Sequence, residues 1–245
     1  MILPLANILQ PLVDVANAVL KFFHNNVGVG WGLSIILLTV VTRLVILPLS
    51  LRQIRSMRAL QALQPQIKAI QQRYKDDKQR LQRELMGFYQ ENKINPFASC
   101  VPLILQLPVF IALYQLLRSS TFNNEIASTP GFLGIPDLSA KATGATLGIL
   151  LVLYFVTMVG STSIMAASAE GSQRLLMFAL PVIFTPIIIN FPAGLVVYWI
   201  TTNIWTMGQQ WVVKQIIPPP PKASPEAVAK AKAPPPPPRK KKRRR

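Results

Sequence analysis

The sequence contains one cysteine and one histidine, and these two shortages exclude several kinds of chemistry. A single cysteine, Cys100, cannot form an internal disulfide or supply a multi-cysteine metal site. The only histidine, His24, precedes the first long apolar segment, so a buried Ser–His pair or a histidine-based metal site has almost no residues to draw on. We therefore predict no metal site and no cofactor, and the pattern argues against an intramembrane protease.

Acidic residues are also scarce, because the chain has nine of them and none lies in the centre of a long apolar segment. Proton- and sodium-coupled transporters usually keep a carboxylate inside the membrane, so coupled transport is disfavoured. The sequence has no glycine-rich phosphate loop and no internal repeat of the kind that transporters show. By elimination, the protein is not predicted to be an enzyme.

What the chain has instead is an uncommon combination of apolar content and positive charge. Hydrophobic residues make up 51%, and the formal net charge is +17. The two properties are segregated: of 26 Lys and Arg residues, ten lie in 51–93 and eleven in 214–245. Long apolar runs occupy most of the remaining chain. This segregation predicts an all-α polytopic membrane protein.

Since about 20 apolar residues are needed to cross a bilayer, we predict five membrane-spanning helices. The two basic segments should lie in the cytoplasm, because positive charge is retained on that side. This places the N-terminus outside and the C-terminus inside a plasma membrane that the chain crosses several times. The predicted spans are 29–50, 95–118, 145–165, 174–191 and 194–213, with an extracytoplasmic loop at 119–144 and a cytoplasmic loop at 166–173.

Residues 1–28 are predicted to form an interfacial helix on the extracytoplasmic side. Apolar residues from Leu12 to Phe23 recur at helical spacing, while Asp14 and Asn17 interrupt the apolar stretch. The segment lacks the basic start of a signal peptide.

The basic segment 51–94 has a second pattern, in which apolar residues recur every three or four positions in two runs. The runs are Leu60, Leu63, Ile67, Ile70 and Tyr74, then Leu81, Leu85 and Phe88, and the polar stretch "YKDDK" separates them. This pattern predicts a cytoplasmic helical hairpin with an apolar seam, in which Pro65 kinks the first arm or starts a helix. The hairpin is either a docking arm for another macromolecule or a solvated loop that sets the topology.

The tail, 214–245, is rich in proline and cannot bury a core, so we predict that it is disordered. It ends in a run of seven basic residues that would bind a polyanion, either ribosomal RNA or anionic lipid headgroups. The residues of this run are Arg239, Lys240, Lys241, Lys242, Arg243, Arg244 and Arg245.

The first span contains a cation, Arg43, within "LTVVTRLVILPLS". A guanidinium at a helix centre costs about 2.5 to 3.5 kcal/mol even on lenient insertion scales, and no acidic residue of this helix offsets it. Snorkelling would require a reach of about 10 Å to the inner boundary. A water-filled cavity open to the cytoplasm is the less costly alternative. Thr39, four residues earlier, shares the face of Arg43.

Three motifs together resemble the YidC-type membrane protein insertases, the family that includes the oxidase-assembly and Alb proteins. They are "TRLVILPLSLRQIRSMRALQALQPQI", "NPFASCVPLILQLPVFIALYQLL" and "FPAGLVVYWITTNIWTMGQQ". The chain is similar to the short form, which lacks the large periplasmic domain. The resemblance implies five helices around a hydrophilic groove that opens to the cytoplasm and to lipid.

In that groove the matching arginine, Arg43, would attract acidic residues of an arriving substrate tail. The resemblance further implies groove positions for Thr39, Gln106, Pro108, Phe110, Tyr198 and Trp199. Expected partners are newly made membrane proteins, the lipid bilayer, the ribosome through the basic tail, the Sec translocon and the targeting machinery, with no small-molecule substrate. Two alternatives stay open: a channel or transporter for an anionic solute, with Arg43 as its selectivity charge, and a passive assembly scaffold.

Overall fold

The computed structural model describes residues 3–92, 101–127, 129, 131–166 and 171–216, and this part of the chain is helical. A π-helical turn at Phe22–Asn26 follows α1, and in the described residues the only β-structure is two isolated bridges. The prediction of an all-α protein is therefore confirmed. Cys100 and the basic run 239–245 lie outside the described residues. The helices are α1 (Leu3–Lys21), α2 (Trp31–Ala62), α3 (Gln64–Arg73), α4 (Lys78–Glu91), α5 (Val101–Arg118), α6 (Ser120–Ala127), α7 (Gly144–Ala166), α8 (Gly171–Ile188) and α9 (Ala193–Ile216).

The chain divides into two compact units, and the boundary falls within α2. The first unit comprises Met1–Arg52 and Cys100–Pro218, and the second comprises Gln53–Ser99 and Pro219–Arg245. By length and composition, α2 and α7 are the helices of the described part that are long and apolar enough to cross a membrane. Two shorter apolar helical stretches, Ile104–Arg118 and Met177–Ile188, lie in α5 and α8.

In the first unit α7 packs against α8 and α9, and α5 packs against α1 and α9. Leu150, Tyr154 and Thr157 line the buried face of α7 at intervals of four and three residues, as helical periodicity requires. The opposite face of α7 is also apolar, since Ile149 and Val152 are each more than half exposed. A helix that is apolar on both faces suits contact with protein on one side and lipid on the other.

Helix α2 changes character along its length. Its first turns are buried, with Ile35 and Thr39 at 0% exposure. From residue 40 to residue 52 every side chain is half-buried or exposed, and Val45 is 73% exposed. The first unit therefore holds α2 by its beginning and leaves the stretch that contains Arg43 loosely covered.

The turn between α8 and α9 is fastened to the irregular segment 131–143 by backbone hydrogen bonds. The first free N–H groups of α9 are satisfied there, because Ala193 N donates to Ala140 O and Gly194 N donates to Leu138 O, both at 2.8 Å. A Cβ atom on Gly194 would approach Leu138 O to 3.0 Å and Ile35 Cδ1 to 2.9 Å. Glycine is therefore the residue that this close approach permits.

Two features that involve helix α6 were not evident from the sequence pattern. The predicted loop 119–144 contains a helix, α6, which carries the carboxylate of Glu125. Lys21 at the end of α1 forms an ion pair with this carboxylate at 2.7 Å, so it ties α1 to α6. The interfacial position predicted for residues 1–28 stays a prediction.

In the second unit α3 and α4 pack against each other, and the apolar seam between them stays a prediction. Ile67, Ile70 and Tyr74 are buried, and Pro65 lies in the first turn of α3. The Asp77 side chain accepts a hydrogen bond from Arg80 N and so caps α4. Helix α2 continues to Ala62, so the run of apolar residues that begins at Leu60 is divided between two helices.

Candidate functional site

Arg43 lies in the loosely covered stretch of α2, where its guanidinium is held by a neutral group. Its Nη2 donates a hydrogen bond to Gln106 Oε1 of α5 at 3.0 Å. Among the residues that the structure describes, no carboxylate lies within ion-pair distance of Arg43. An arginine has five N–H donors in a planar fork, and among the described residues one hydrogen bond from this fork is seen, to Gln106. The side chain of Arg43 is half-buried.

The same glutamine also contacts a third helix. Gln106 Nε2 donates a hydrogen bond to the hydroxyl oxygen of Tyr198 in α9. Tyr198 is only 2% exposed, whereas Gln106 and Arg43 are both half-buried. The three residues therefore form a hydrogen-bonded chain from α2 through α5 to α9. Arg43, at the charged end, is more exposed than Tyr198 at the other end.

Thr39, which was expected to face a groove beside Arg43, is placed differently by the structure. It is fully buried, and its hydroxyl donates to Ile35 O of its own helix at 2.8 Å. Thr42 makes the corresponding bond to Thr39 O. Sharing a helical face with Arg43 does not expose Thr39, because only the later part of α2 is loosely covered. In this structure Thr39 therefore packs inside the unit and presents no hydroxyl at an open surface.

Phe110 and Trp199 meet in an aromatic cluster beside the hydrogen-bonded chain. Their ring centroids are 5.1 Å apart in an edge-on arrangement. The Trp199 ring also contacts Tyr154 of α7 at 5.7 Å and Phe184 of α8 at 5.8 Å. Trp199 thus joins α5, α7, α8 and α9. Because Gln106 and Phe110 are one turn apart on α5, the polar chain and the aromatic cluster are adjacent levels of one site.

Pro108 lies between these two levels, inside α5 and half-buried. Proline has no N–H, so the α5 ladder lacks one hydrogen bond at this position. Pro108 therefore shares helix α5 with Gln106 and Phe110, but its ring makes no hydrogen bond to either side chain.

Sequence reasoning missed a set of polar residues between α7 and α9. Asn203 Nδ2 donates to Thr157 Oγ1 across these helices at 3.4 Å, and Thr202 is also buried. The hydroxyl of Tyr154 has no hydrogen-bond partner in the described part of the chain. Tyr154, Thr157 and Ser161 recur at intervals of three and four residues, and this spacing is the sequence signal by which the polar stripe on α7 could have been found.

The described residues were also compared with the donor sets that bind metal ions. Within the described ranges, no group of three or more His, Cys, Asp or Glu side chains could hold one. The site brings together a cation with a neutral anchor and an aromatic wall, an arrangement that can attract an anionic group without covalent chemistry.

Comparison with protein families matches residues 22–220 to the model described as the 60Kd inner membrane protein. The chain belongs to this family. Among curated proteins, the membrane protein insertases YidC of Francisella tularensis subsp. novicida (strain U112) and subsp. tularensis (strain SCHU S4 / Schu 4) are each 40% identical to it over 197 residues. Each alignment covers 80% of this chain and 34% of the relative. The chain thus spans about a third of the length of these relatives.

A solved structure supports the same assignment at the level of the fold. It is described as an active YidC insertase crystal structure with the first transmembrane domain resolved, and it superposes with a TM-score of 0.64 at 28% identity. The match covers 83% of this chain and 45% of the solved chain. The resemblance to the YidC-type family, stated above from three motifs, is therefore confirmed, and the protein is a helical membrane protein of that family.

Proposed function

We propose that this protein inserts membrane proteins into the bilayer and assists their folding, with Arg43 as the residue that attracts acidic groups of the substrate tail. The observation that carries the proposal is a half-buried guanidinium anchored by the neutral Gln106 amide, with no carboxylate of the described chain beside it. Such a cation keeps its charge for a visiting anion. Two unit charges 4 Å apart attract by about 4 kcal/mol at an effective dielectric constant near 20.

The proposed route begins at the loosely covered part of α2. An acidic tail would approach Arg43 from the cytoplasmic side through a hydrophilic groove open to the cytoplasm and to lipid. The following apolar segment of the substrate would then leave sideways into the bilayer. Burial of that segment in lipid supplies the driving force, so the proposal needs no nucleotide hydrolysis and no covalent step.

The proposed topology has five spans, contributed by α2, α5, α7, α8 and α9, with the N-terminus outside and the C-terminus inside. The excess of Lys and Arg in 51–93 and 214–245 supports this orientation. A cysteine placed at Asp76 in a Cys100→Ser background should react with an impermeant maleimide from the cytoplasmic side only.

Replacing Arg43 with alanine should lower insertion of substrates with acidic translocated tails about fivefold, which corresponds to the loss of about 1 kcal/mol of attraction. Arg43→Lys should retain most of the activity, because it keeps the charge. The measurement is protease protection of a single-span substrate inserted into proteoliposomes that contain the purified protein. Two versions of the substrate, with acidic and with neutral tails of equal length, serve as the matched pair.

The other outcomes of this assay point away from the proposal. Equal insertion of both substrates by wild-type protein and by Arg43→Ala would contradict the role of the charge. Flux of an anionic solute through the same liposomes without insertion would identify a channel or transporter. Loss of activity on removal of the hairpin 51–94, with Arg43→Ala neutral, would identify an assembly scaffold.

We further propose that the basic run 239–245 binds ribosomal RNA and brings the ribosome to the membrane, where the Sec translocon and the targeting machinery act beside the protein. Seven consecutive cations would release counterions from a polyanion. Replacing them with glutamine should lower co-sedimentation with ribosomes about threefold at physiological salt. Unchanged ribosome binding, with weaker binding to anionic vesicles, would assign the run to lipid instead.

A further inference from the structure

The donors and acceptors at Arg43 can be paired in only one order. A guanidinium has donors and no acceptor, so Gln106 must turn its carbonyl oxygen toward Arg43. The amide nitrogen of Gln106 then points away, toward the hydroxyl oxygen of Tyr198, which accepts its hydrogen bond. A glutamine side chain whose ends were exchanged would place an N–H group against the guanidinium and a carbonyl oxygen against the phenol.

We propose that Tyr198 is a positioning residue, which anchors the Gln106 amide nitrogen and so holds the amide oxygen in place against Arg43. This inference rests on the function proposed above and adds to it the device that keeps the cation in place. The guanidinium, which has no acceptor, fixes which end of the amide faces it, and the phenol oxygen accepts from Gln106 Nε2 and so limits the movement of the amide. With the amide anchored in this way, the guanidinium is held at one N–H and offers its remaining donors to a carboxylate.

The burial of Tyr198 separates this role from direct contact with a substrate. The side chain is 2% exposed, so it does not present its hydroxyl to an arriving tail. Gln106 and Arg43 are half-buried and lie between Tyr198 and any visitor in the hydrogen-bonded chain. The tyrosine hydroxyl therefore acts on substrate only through the orientation of the glutamine. Its neighbour Trp199 faces the aromatic cluster instead, so the adjacent residues of α9 have different roles.

The direct test is Tyr198→Phe, which removes the acceptor and keeps the ring. The variant should lower insertion of the acidic-tailed substrate about threefold, in line with loss of a single hydrogen bond, and leave the neutral-tailed substrate unchanged. Tyr114→Phe is the matched control, because it deletes a phenol hydroxyl that accepts from exposed Arg118 at 2.7 Å and not from Gln106. Equal loss for both substrates in Tyr198→Phe would indicate a merely structural role and overturn the proposal.

A double-mutant cycle tests whether Tyr198 acts through Gln106. In a Gln106→Ala background the Tyr198→Phe change should have no further effect on insertion, because the amide that it orients is absent. Additive losses in the double variant would contradict the inference.

A spectroscopic measurement separates this inference from the insertion mechanism. In the full-length protein in nanodiscs, the two ¹⁵N-bound protons of the Gln106 amide should exchange slowly with water, and their exchange should become about threefold or more faster in Tyr198→Phe. Unchanged exchange would overturn the inference even if insertion requires Arg43. Faster exchange combined with a neutral Arg43→Ala would retain the orienting role of Tyr198 and refute the proposed function.

Discussion

Replacing Gln106 with glutamate should suppress insertion of acidic-tailed substrates about tenfold or more, which exceeds the loss expected for Arg43→Ala. The substitution puts a carboxylate oxygen where Gln106 Oε1 now lies, 3.0 Å from Arg43 Nη2. The guanidinium then acquires a permanent counter-ion, and the attraction between two opposite unit charges adds to the hydrogen bond that the neutral amide already accepts. An arriving acidic tail would have to compete with that carboxylate and would also be repelled by it.

The control for this prediction is Gln115→Glu, the same change on the same helix. Gln115 lies nine positions further along α5, about 13 Å away at 1.5 Å per residue. Insertion of matched acidic-tailed and neutral-tailed substrates into proteoliposomes is the measurement, with thermal stability as a check on folding. We expect Gln106→Glu to be at least as heat-stable as wild type and selectively impaired on the acidic tail. If it inserted that substrate as well as Gln115→Glu does, the free charge of Arg43 would not be what attracts the tail.

Replacing Gly194 with alanine should destabilise the protein by about 2 kcal/mol, although glycine-to-alanine changes inside helices usually stabilise. The added Cβ would lie 3.0 Å from the backbone oxygen of Leu138 and 2.9 Å from Ile35 Cδ1. The side chain of Ile35 can move, but the carbonyl of Leu138 accepts the Gly194 N–H and is held in place. Relieving the contact requires the hydrogen bonds between segment 131–143 and the start of α9 to lengthen.

Gly208 provides the comparison in the same helix, because nothing lies within 4 Å of a Cβ atom built there. Gly208→Ala should leave stability unchanged or raise it by up to about 1 kcal/mol. The two variants are compared by thermal unfolding in one detergent, monitored by helical circular dichroism and by aggregation. If both variants changed the unfolding temperature by the same amount, helix propensity, and not the close approach of Leu138 O, would determine the change in stability.

The helical architecture could be predicted because hydrophobic runs and periodicity report directly on local structure. The breaks in these patterns were harder to interpret. Pro65 indicated either a kink or a helix start, and α3 begins at Gln64, but the continuation of α2 through Leu60 to Ala62 was not apparent. Helix α6 was missed because the segment 120–127 is short and most of its residues are polar. Its position also depends on contacts with other helices, such as the ion pair of Lys21 with Glu125.

At the site, the composition of one helix identified Arg43, since a charge among apolar residues stands out in any sequence. The identity of its partners depends on which helices meet, and periodicity within a helix carries no information on that. The motifs shared with a known family supplied Gln106 and Tyr198. The burial of Thr39 could not be foreseen, because its helical face is covered up to residue 39 and loosely covered from residue 40.

This difference along α2 also bears on how the protein could accommodate segments of unequal bulk. If α2 tilts about its buried beginning, residues 40–52 are displaced with little disturbance of the interior around Ile35. Ten residues beyond the pivot, at about 15 Å along the axis, a tilt of 10° corresponds to a shift of roughly 2.6 Å. A displacement of that size beside Arg43 would make room for substrate side chains of different size, while the packing around the beginning of α2 stays unchanged.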